Sequence, residues 1–576
     1  MAPMELGQMV STGRWWGVGI LLTVWAVGIL VPAPVAAEDT ENSTPLESTV
    51  RSGSVIRGQS DAPLAGAIET EPPADFESML RTPEAVFQNT QLTQTTPYSV
   101  PSSPNLAPTP ASPMYNLGFG SAFSQGSAGM GSPPPPAIQS MPAPQMPPPK
   151  AATTLTAKFG PGFQLQSEDG EFTLQMHALM QMDYRQYTHT ADAPNGRVAD
   201  VPGAAGPNNT FTFPRQWLIF NGNVTKNWEW MLAPSFQFDN VNLLDAWANA
   251  HYDDRYQVKV GRYKTPFTYE FYAEPIQGLV QPERSMFFNN FGLNRAEGVM
   301  AHGTIFDQYV DYAIGVFNGQ RNGFLSNNNS KDLVGYFNFR PFMNWDCSPL
   351  QRIDVGASFD YGYENNPPNP AANGGTPTVL RTNVATNGSL INGVEFLQLK
   401  GTVFERGQRA LGSIHAAWYY EQMTLISELQ GGFDSYANTA PAAGGASHTR
   451  VPISSWYIQG GYFLTGETVT FRNVVKPLCP LKWGSGGYGA IELMSRFNYL
   501  ALDNRIFTSG MVDGAGGNTW TNRVDLTDLG VNWYPNQWIK CSILWEHSQF
   551  GSAVTYRPGQ ASSYNDMFWT RMQVWF

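Results

Sequence analysis

The sequence predicts an all-β fold: a transmembrane antiparallel β-barrel of about 16 strands, within a range of roughly 16 to 18, behind a disordered N-terminal leader. Apolar and polar residues alternate with period 2 through most of residues 151–576, and many alternating segments are long. After residue 37 no run approaches the ~20 apolar residues of a membrane-spanning helix. Any later bilayer crossing therefore requires strands closed into a barrel.

Residues 1–37 are predicted to be a secretory signal peptide. An apolar run from Trp15 to Val31 follows Arg14, and small residues lead to a cleavage site after Ala37. Because a single basic residue makes a weak charged region ahead of the apolar run, a retained membrane anchor is the alternative.

Residues 38–150 form a linker by composition. Proline, serine, threonine and glutamine dominate this stretch, which culminates in SPPPPAIQSMPAPQMPPPK. Such a sequence cannot hold a packed core and favours polyproline II. We expect a disordered leader in the periplasm, which is either a solvated spacer or a tether to the cell wall or to a partner.

The barrel domain, residues 151–576, shows its first clear strand at residues 172–185. One predicted face carries Phe172, Leu174, Met176, Ala178, Met180, Met182 and Tyr184, and the other carries Thr173, Gln175, His177, Gln181, Asp183 and Arg185. Soluble sandwiches usually have strands of ~5 to 6 residues, whereas a tilted membrane strand needs ~9 to 11. The length favours a membrane strand, with a soluble sandwich as the alternative.

Later segments repeat this alternation, and aromatic residues mark their ends. Trp228 and Leu232 are predicted to face outward, opposite Glu229. In the next segment Leu244 is predicted to face outward, opposite Asp245. Aromatic rings at the ends of an apolar band are typical of strands that meet both interfaces of a bilayer.

The stretch from Arg255 to Glu297 combines a strand with an unusually long loop. Charged residues are dense there for a chain with 14% charged residues: Arg262, Lys264, Glu270, Glu274, Glu283, Arg284 and Arg295. We expect residues 265–296 to fold into the barrel as a constriction loop, with an ordinary ordered surface loop as the alternative.

The C-terminal segment, SYNDMFWTRMQVWF, also alternates. Its final residue, Phe576, resembles the aromatic signal by which outer-membrane proteins are recognised by the barrel assembly machinery. We expect this strand to close the barrel against the first strand, near Phe172 to Tyr184, which would remove both sheet edges.

Several other kinds of chemistry have no support in the sequence. The net charge of −12 disfavours a nucleic-acid partner. The pattern G-x-G-x-x-G at Gly484 to Gly489 lacks the preceding buried strand and the following helix that dinucleotide binding requires. There is no H-E-x-x-H or G-x-S-x-G motif, so we expect no enzymatic activity, metal or cofactor. The three cysteines are too few for a disulfide framework.

Several segments, in order, resemble the phosphate-selective porins of the O and P type. They include VKVGRYKTPFTYE at 258–270, YIQGGYFLTGE at 457–467, YGAIELMSRFNYLALD at 488–503 and LGVNWYPN at 529–536. Each motif alone is weak, but their combination in this order is specific. The resemblance covers about residues 158–576.

The resemblance implies a 16-stranded homotrimeric porin in the outer membrane of a diderm bacterium, surrounded by outer-membrane lipid. Its function would be the passive diffusion of small solutes, including anions such as inorganic phosphate, through a water-filled channel. In this family lumen-facing arginines and lysines draw phosphate inward. The corresponding candidates for anion binding and constriction are Lys259, Arg215, Arg496 and Arg571 by strand alternation, and Arg262, Lys264, Arg284 and Arg295 in the loop or at its roots. Arg185, Lys400 and Lys540 also fall inward by alternation.

Inward acidic residues keep other functions open. By the same alternation Asp183, Glu229, Asp239, Asp245, Asp354 and Asp360 also project inward. A general or cation-leaning porin is therefore one alternative, because the constriction and not the summed charge sets selectivity. The basic residues could instead form structural ion pairs, such as Arg496 with Glu492 or Arg284 beside Glu283. A structural barrel that anchors the envelope through its leader is a further alternative.

Overall fold

The computed structural model describes residues 154–160, 162–191, 207–237, 240–321, 323, 326, 328–366, 379–383, 393–484 and 486–576. The predicted signal peptide, the leader and Asp239 lie outside these residues. Within the described ranges no helix has the length and apolar character needed to cross a membrane.

Sixteen antiparallel strands form a closed barrel. In chain order the strands are β1 (Leu155–Gly160), β2 (Gly162–Ser167), β3 (Thr173–Tyr187), β4 (Thr210–Thr225), β5 (Trp228–Gln237), β6 (Asn240–Asp253), β7 (Tyr256–Lys264), β8 (Arg295–Ile305), β9 (Val310–Phe317), β10 (Asp332–Phe339), β11 (Ile353–Asn365), β12 (Val379–Arg381), β13 (Glu395–Gln398), β14 (Val403–Tyr420), β15 (Met423–Asn438), β16 (His448–Phe463), β17 (Ala490–Leu502), β18 (Arg523–Asn536), β19 (Ile539–Arg557) and β20 (Gln560–Trp575). All except β1, β2, β12 and β13 form the barrel wall, so β11 pairs directly with β14. The predicted strand number and fold class are confirmed.

The helices in the described residues are short. They are α1 (Tyr269–Tyr272), α2 (Met286–Phe291) and α3 (Arg505–Thr508), with 3₁₀ turns at Ile276–Gly278 and Ala515–Gly517. The first two helices and the first 3₁₀ turn belong to the long segment between β7 and β8.

The first and last barrel strands close the wall. The C-terminal part of β3 pairs with β20, from Leu179 opposite Trp575 to Tyr187 opposite Met567. Ala178 and Phe576 extend this ladder by exchanging backbone hydrogen bonds of 3.0 and 3.2 Å. The other part of β3 pairs with β2, which forms a hairpin with β1. The predicted closure is confirmed, and it leaves the barrel without a free edge at this seam.

Alternation along the strands separates an apolar outer face from an inner face. On β3 Met180 is 47% exposed, whereas Asp183 and Arg185 are fully buried. On β5 Leu232 is 44% exposed, and its neighbour Met231 is buried. A continuous band of exposed large apolar residues suits hydrocarbon rather than water, which identifies this face as the lipid face.

One side chain departs from the predicted alternation. The register between β5 and β6 shifts at Ala233 and Pro234, whose partners are Asp245 and Leu243. Leu244 is the extra residue of this β-bulge, and it is fully buried. The prediction that Leu244 faces outward is wrong, because a bulge interrupts the period of 2.

Most short turns lie at one end of the barrel and most long segments at the other, but the connection 340–352 at the short-turn end has 13 residues and the turn 558–559 at the opposite end has two. Residues 226–227, 254–255 and 421–422 make short turns at one end, and residues 265–294 and 366–402 are long segments at the other. Residues 464–489, between β16 and β17, lie at the short-turn end yet are also long. Part of this segment, including the buried Arg472, folds inward.

Candidate functional site

The segment between β7 and β8 lies inside the barrel. It begins after Lys264 because Pro266 cannot continue a strand ladder and Thr268 has a φ of 61°. Its two ends meet where Thr265 donates from its backbone N and from Oγ1 to the Asn294 carbonyl, both at 3.0 Å. All of residues 265–294 are buried except Tyr272, Ala273 and Asn289, which are partly buried. We call this segment the lumen loop.

Hydrogen bonds within the lumen loop give it a defined shape. Arg284 donates from Nε to the Glu270 carbonyl at 2.7 Å and from Nη2 to the Glu274 carbonyl at 3.1 Å. The Glu270 carboxylate accepts from the Ser285 backbone N at 2.9 Å. Lys264, at the root of the loop, donates to the Phe271 carbonyl. Arg284 and Lys264 therefore support the path of the loop.

Glu283 of the lumen loop meets a cluster of wall arginines. Arg215 on β4 binds its carboxylate through a two-pronged pair, with both N···O distances at 2.7 Å. Arg571 on β20 donates to the same carboxylate at 2.6 Å and to Asp183 at 2.6 and 2.8 Å. Burial alone would raise the pKa of the Glu283 carboxyl, but Arg215 and Arg571 outweigh burial and lower that pKa to about 2. Glu283 is therefore anionic at neutral pH, and Arg215 and Arg571 hold its carboxylate.

Arg496 on β17 belongs to the same cluster. It binds Asp528 on the neighbouring strand at 2.8 Å and donates to the Glu283 carbonyl at 2.7 Å. The considered pair between Arg496 and Glu492 is wrong, because the β17–β18 register places Arg496 directly opposite Asp528. Glu492 instead pairs at 2.6 Å with Arg472, from the inward part of residues 464–489.

The backbone of residues 277–283, which we call the strap, runs along the basic wall. Its carbonyl groups accept hydrogen bonds from wall and turn side chains: Gln277 from Gln573 at 3.3 Å, Gly278 from Arg472 at 2.8 Å, Leu279 from Lys540 at 2.6 Å, Val280 from Asn532 at 2.8 Å, Pro282 from Arg571 at 2.6 Å and Glu283 from Arg496 at 2.7 Å. Because the strap is largely irregular, its carbonyls are free to point at the wall.

A second basic group lies at the roots of the lumen loop. Arg295 on β8 binds Asp245 at 3.0 Å, and Arg262 on β7 binds Glu297 at 3.0 Å. Lys259 is farther along β7 and lies over the Trp247 ring, 4.4 Å from its centroid. The structure thus groups Arg215, Arg496 and Arg571 at the strap, and the root residue Arg295 adjoins this group because Arg215 and Arg295 each lie 5.8 Å from the centroid of the Trp217 ring.

The described part of the connection between β11 and β14 also lies in the lumen, which the sequence did not predict. Its β12–β13 hairpin buries Leu380, Phe396 and Leu397. Asn383, just after β12, accepts from Arg185 at its carbonyl and from Arg496 at its side-chain oxygen, both at 3.3 Å. The apolar sequence VEFLQL inside a long connection was the available signal.

The position predicted for Lys400 is wrong. Lys400 lies between β13 and β14, not on a barrel strand, so strand alternation does not apply to it. Its Nζ donates to the Gly510 carbonyl at 2.6 Å. It therefore ties two connections together.

Negatively charged side chains dominate another arc of the barrel wall. Carboxylates outnumber guanidinium groups in a buried cluster of Asp332, Asp360, Glu364, Glu405 and Asp434 with Arg409 and Arg321. Arg409 contacts Glu364 at 3.0 Å and Asp360 at 3.2 Å.

Across the described residues, no group of three or more His, Cys, Asp or Glu side chains has an arrangement suited to a metal ion.

A closed 16-strand barrel with an apolar outer band and a loop folded into its lumen defines an outer-membrane porin. The family model described as phosphate-selective porin O and P matches residues 191–550. The chain belongs to this family, as its motifs predicted.

Solved structures with similar folds are also porins or channels. The anion-selective porin from Comamonas acidovorans is 11% identical, with a TM-score of 0.40 over 70% of this chain and 100% of that one. OprB of Pseudomonas putida is 9% identical, with a TM-score of 0.40 over 71% and 95% of the two chains. The channel DcaP of Acinetobacter baumannii is 8% identical, with a TM-score of 0.36 over 72% and 99%. No curated protein sequence matches the chain.

Proposed function

We propose that this porin is a passive channel for small anions, inorganic phosphate among them, and that the wall arginines around the strap form its selective constriction. The observation that carries the proposal is the convergence of Arg215, Arg496 and Arg571 on residues 282–283, inside the barrel. A guanidinium group presents several donors in a plane that matches the oxygens of phosphate and carboxylate. Such donors replace the water that an anion loses on entering a narrow passage.

The ion pairs at this site favour weak and reversible anion binding, as a transport channel requires. Arg571 and Arg496 each keep a wall carboxylate, Asp183 and Asp528 respectively. An anion at these arginines therefore competes with a neighbouring carboxylate and meets only part of their positive charge. Binding that is favourable but weak is what conduction requires, because the solute must also leave.

The remaining predicted residues have supporting roles in the proposed channel. Arg262 and Arg295 would extend the positive path at the roots of the lumen loop, and Lys259 would extend it farther along β7. Lys264 and Arg284 would act by holding the loop in place, since both donate to loop carbonyls.

The assembly and cellular context belong to the same proposal. The porin would be a homotrimer in the outer membrane, with residues 38–150 in the periplasm after cleavage of the signal peptide. Phe576 would present the aromatic signal to the barrel assembly machinery. These statements rest on the family and on the sequence patterns.

The acidic cluster around Arg409 favours a second candidate, a cation-leaning pore. Its carboxylates are buried on the strands β10, β11, β14 and β15, and they outnumber their arginine partners. If ions pass along this arc, the carboxylates and not the strap arginines set the selectivity.

The reversal potential of the purified porin in a planar bilayer under a KCl gradient separates the two candidates. We expect a chloride-leaning potential, and a current that added phosphate blocks. A potassium-leaning potential without block would overturn the anion proposal in favour of the acidic arc.

Arg571→Gln is expected to weaken the phosphate block by at least roughly tenfold. Hydrogen bonds to charged groups contribute about 1.5–3 kcal/mol, and about 1.4 kcal/mol corresponds to a tenfold change in affinity. The barrel should still fold, because Asp183 keeps Arg185 and Glu283 keeps Arg215 as partners. The phosphate concentration that halves the chloride current measures the effect.

Arg255→Gln is the matched control for this substitution. Arg255 is 63% exposed and pairs with Asp253 at a short turn. Its loss should leave the block unchanged. Equal effects of the two substitutions on the phosphate block would show that Arg571 is not part of the constriction.

A further inference from the structure

We propose that the strap is a built-in occupant of the anion pathway, and that anions pass only when the strap leaves the wall. This inference rests on the proposed function. In the structure the strap carbonyls and the Glu283 carboxylate hold the donors that a passing oxyanion would use.

The first support is the row of contacts itself. Lys540, Arg571 and Arg496 stand on three different strands, and each donates to a strap carbonyl at 2.6 or 2.7 Å. A carbonyl is a neutral acceptor, whereas a phosphate or carboxylate offers charged oxygens to the same cationic donors. Because charge-assisted hydrogen bonds are the stronger ones, an entering oxyanion is the better partner for these side chains.

Glu283 strengthens the resemblance between the strap and a ligand. Its two carboxylate oxygens bind Arg215 in the two-pronged geometry that a free carboxylate or phosphate would adopt. The carboxylate is tethered to the strap, so it acts as a permanent competitor at high local concentration.

The wall donors should remain in position after the strap leaves. Arg571 is held by Asp183 and Arg496 by Asp528, and both acids are on barrel strands. The vacated site is therefore preorganised for an oxyanion at these two arginines, because they do not depend on the strap for their orientation.

One buried side chain of the strap lacks hydrogen-bond partners when the strap lies against the wall, which we call its docked position. Gln281 is 1% exposed, and within the described part of the chain neither its amide oxygen nor its amide nitrogen has a hydrogen-bond partner. An unsatisfied buried amide disfavours the docked position, since departure would let water or new partners reach it. This observation points to a strap that can leave.

A disulfide between the strap and the wall tests the inference directly. A Cβ atom at Gly461 on β16 would lie 3.4 Å from Cγ1 of Val280, and Cγ1 occupies a position that the Sγ atom of a cysteine at residue 280 can take, so a disulfide between the two positions is within reach. The variant carries Val280→Cys and Gly461→Cys, with Cys347, Cys479 and Cys541 changed to serine. Its conductance is measured in planar bilayers, with inorganic phosphate as the anion, before and after reduction.

We expect the oxidised protein to conduct phosphate at least about tenfold less than the same protein after reduction. The reduced protein is the matched control for crowding, because a side chain at Gly461 also meets the Glu492 carboxylate. Equal phosphate conductance in both states, with the cross-link verified by mass spectrometry, would overturn the inference. A potassium-leaning reversal potential of the wild-type protein would instead overturn the proposed function, so the two failures are distinguishable.

Glu283→Gln provides a second and independent test. Neutralising the tethered competitor should lower the phosphate concentration that halves the chloride current by several-fold. Asp525→Asn, at an acid paired with Arg523 away from the strap, is the control and should leave that concentration unchanged. An unchanged or higher concentration for Glu283→Gln, in protein that folds normally by gel mobility, would count against a competing carboxylate. Repeating the titration with succinate separates a site for oxyanions in general from one restricted to phosphate.

Discussion

Arg472→Ala should lower the free energy of unfolding by about 3–5 kcal/mol, the cost of leaving a buried charge without its partner. Arg472 is 1% exposed and joins three parts of the protein. It binds the Glu492 carboxylate on β17 at 2.6 Å and donates to the Gly278 carbonyl of the strap at 2.8 Å. Without it Glu492 keeps the neutral donors Asn532 and Tyr534, at 3.0 and 2.7 Å. Guanidinium unfolding in detergent, followed by tryptophan fluorescence, measures the change.

Arg505→Ala is the control for the Arg472 substitution. Arg505 is 59% exposed and lies 3.5 Å from Asp503, so its loss should cost at most about 1 kcal/mol. The same Arg472 variant should also show noisier single-channel current, because the strap loses one of its anchors. Matching unfolding midpoints for the two variants would show that Arg472 does not clamp the lumen segments together.

Leu232→Arg is expected to impair assembly of the barrel in membranes. Leu232 is 44% exposed near the middle of β5, on the lipid face. An arginine facing lipid at the bilayer midplane costs about 2–4 kcal/mol. The fraction of protein that migrates as a folded barrel in unheated gel samples reports the loss.

Tyr252→Arg tests whether depth in the bilayer is the cause. Tyr252 is on the same outer face, but it lies beside the short turn at residues 254–255 and is 68% exposed. A cation near the interface costs only about 0–1 kcal/mol, so most of this variant should fold. Normal assembly of Leu232→Arg would mean that this face does not contact hydrocarbon.

Sequence patterns predicted which side of each strand a residue occupies much better than they predicted its partner. Alternation is local, since each residue is placed by its immediate neighbours. It therefore placed Asp183, Arg215 and Arg571 on the inner face. The bulge at Leu244 escaped prediction because an extra residue in one strand shows only when its partner strand is known.

Partners across strands depend on register, which a single sequence does not specify. Arg496 and Glu492 are one pleat apart on β17, so a pair between them was reasonable. The neighbouring strand brought Asp528 opposite Arg496, and residues 464–489 supplied Arg472 to Glu492. The entry of the β12–β13 hairpin into the lumen was equally hidden, because composition marks a long connection without showing its direction.

The seam between β3 and β20 has a consequence for the order of events during biogenesis. Residues 179–185 pair with β4 along one edge, but residues 179–187 can find their partners on β20 only after residues 567–575 have been made, so the other edge stays open until then. Contacts that join such distant parts of a chain form slowly, and unpaired edges invite aggregation in the meantime. The β1–β2 hairpin needs no such wait, because its pairing with β3 is local in sequence. It can cover residues 173–176 of β3 from the moment β3 emerges, whereas residues 179–187 wait for β20 to complete the ring.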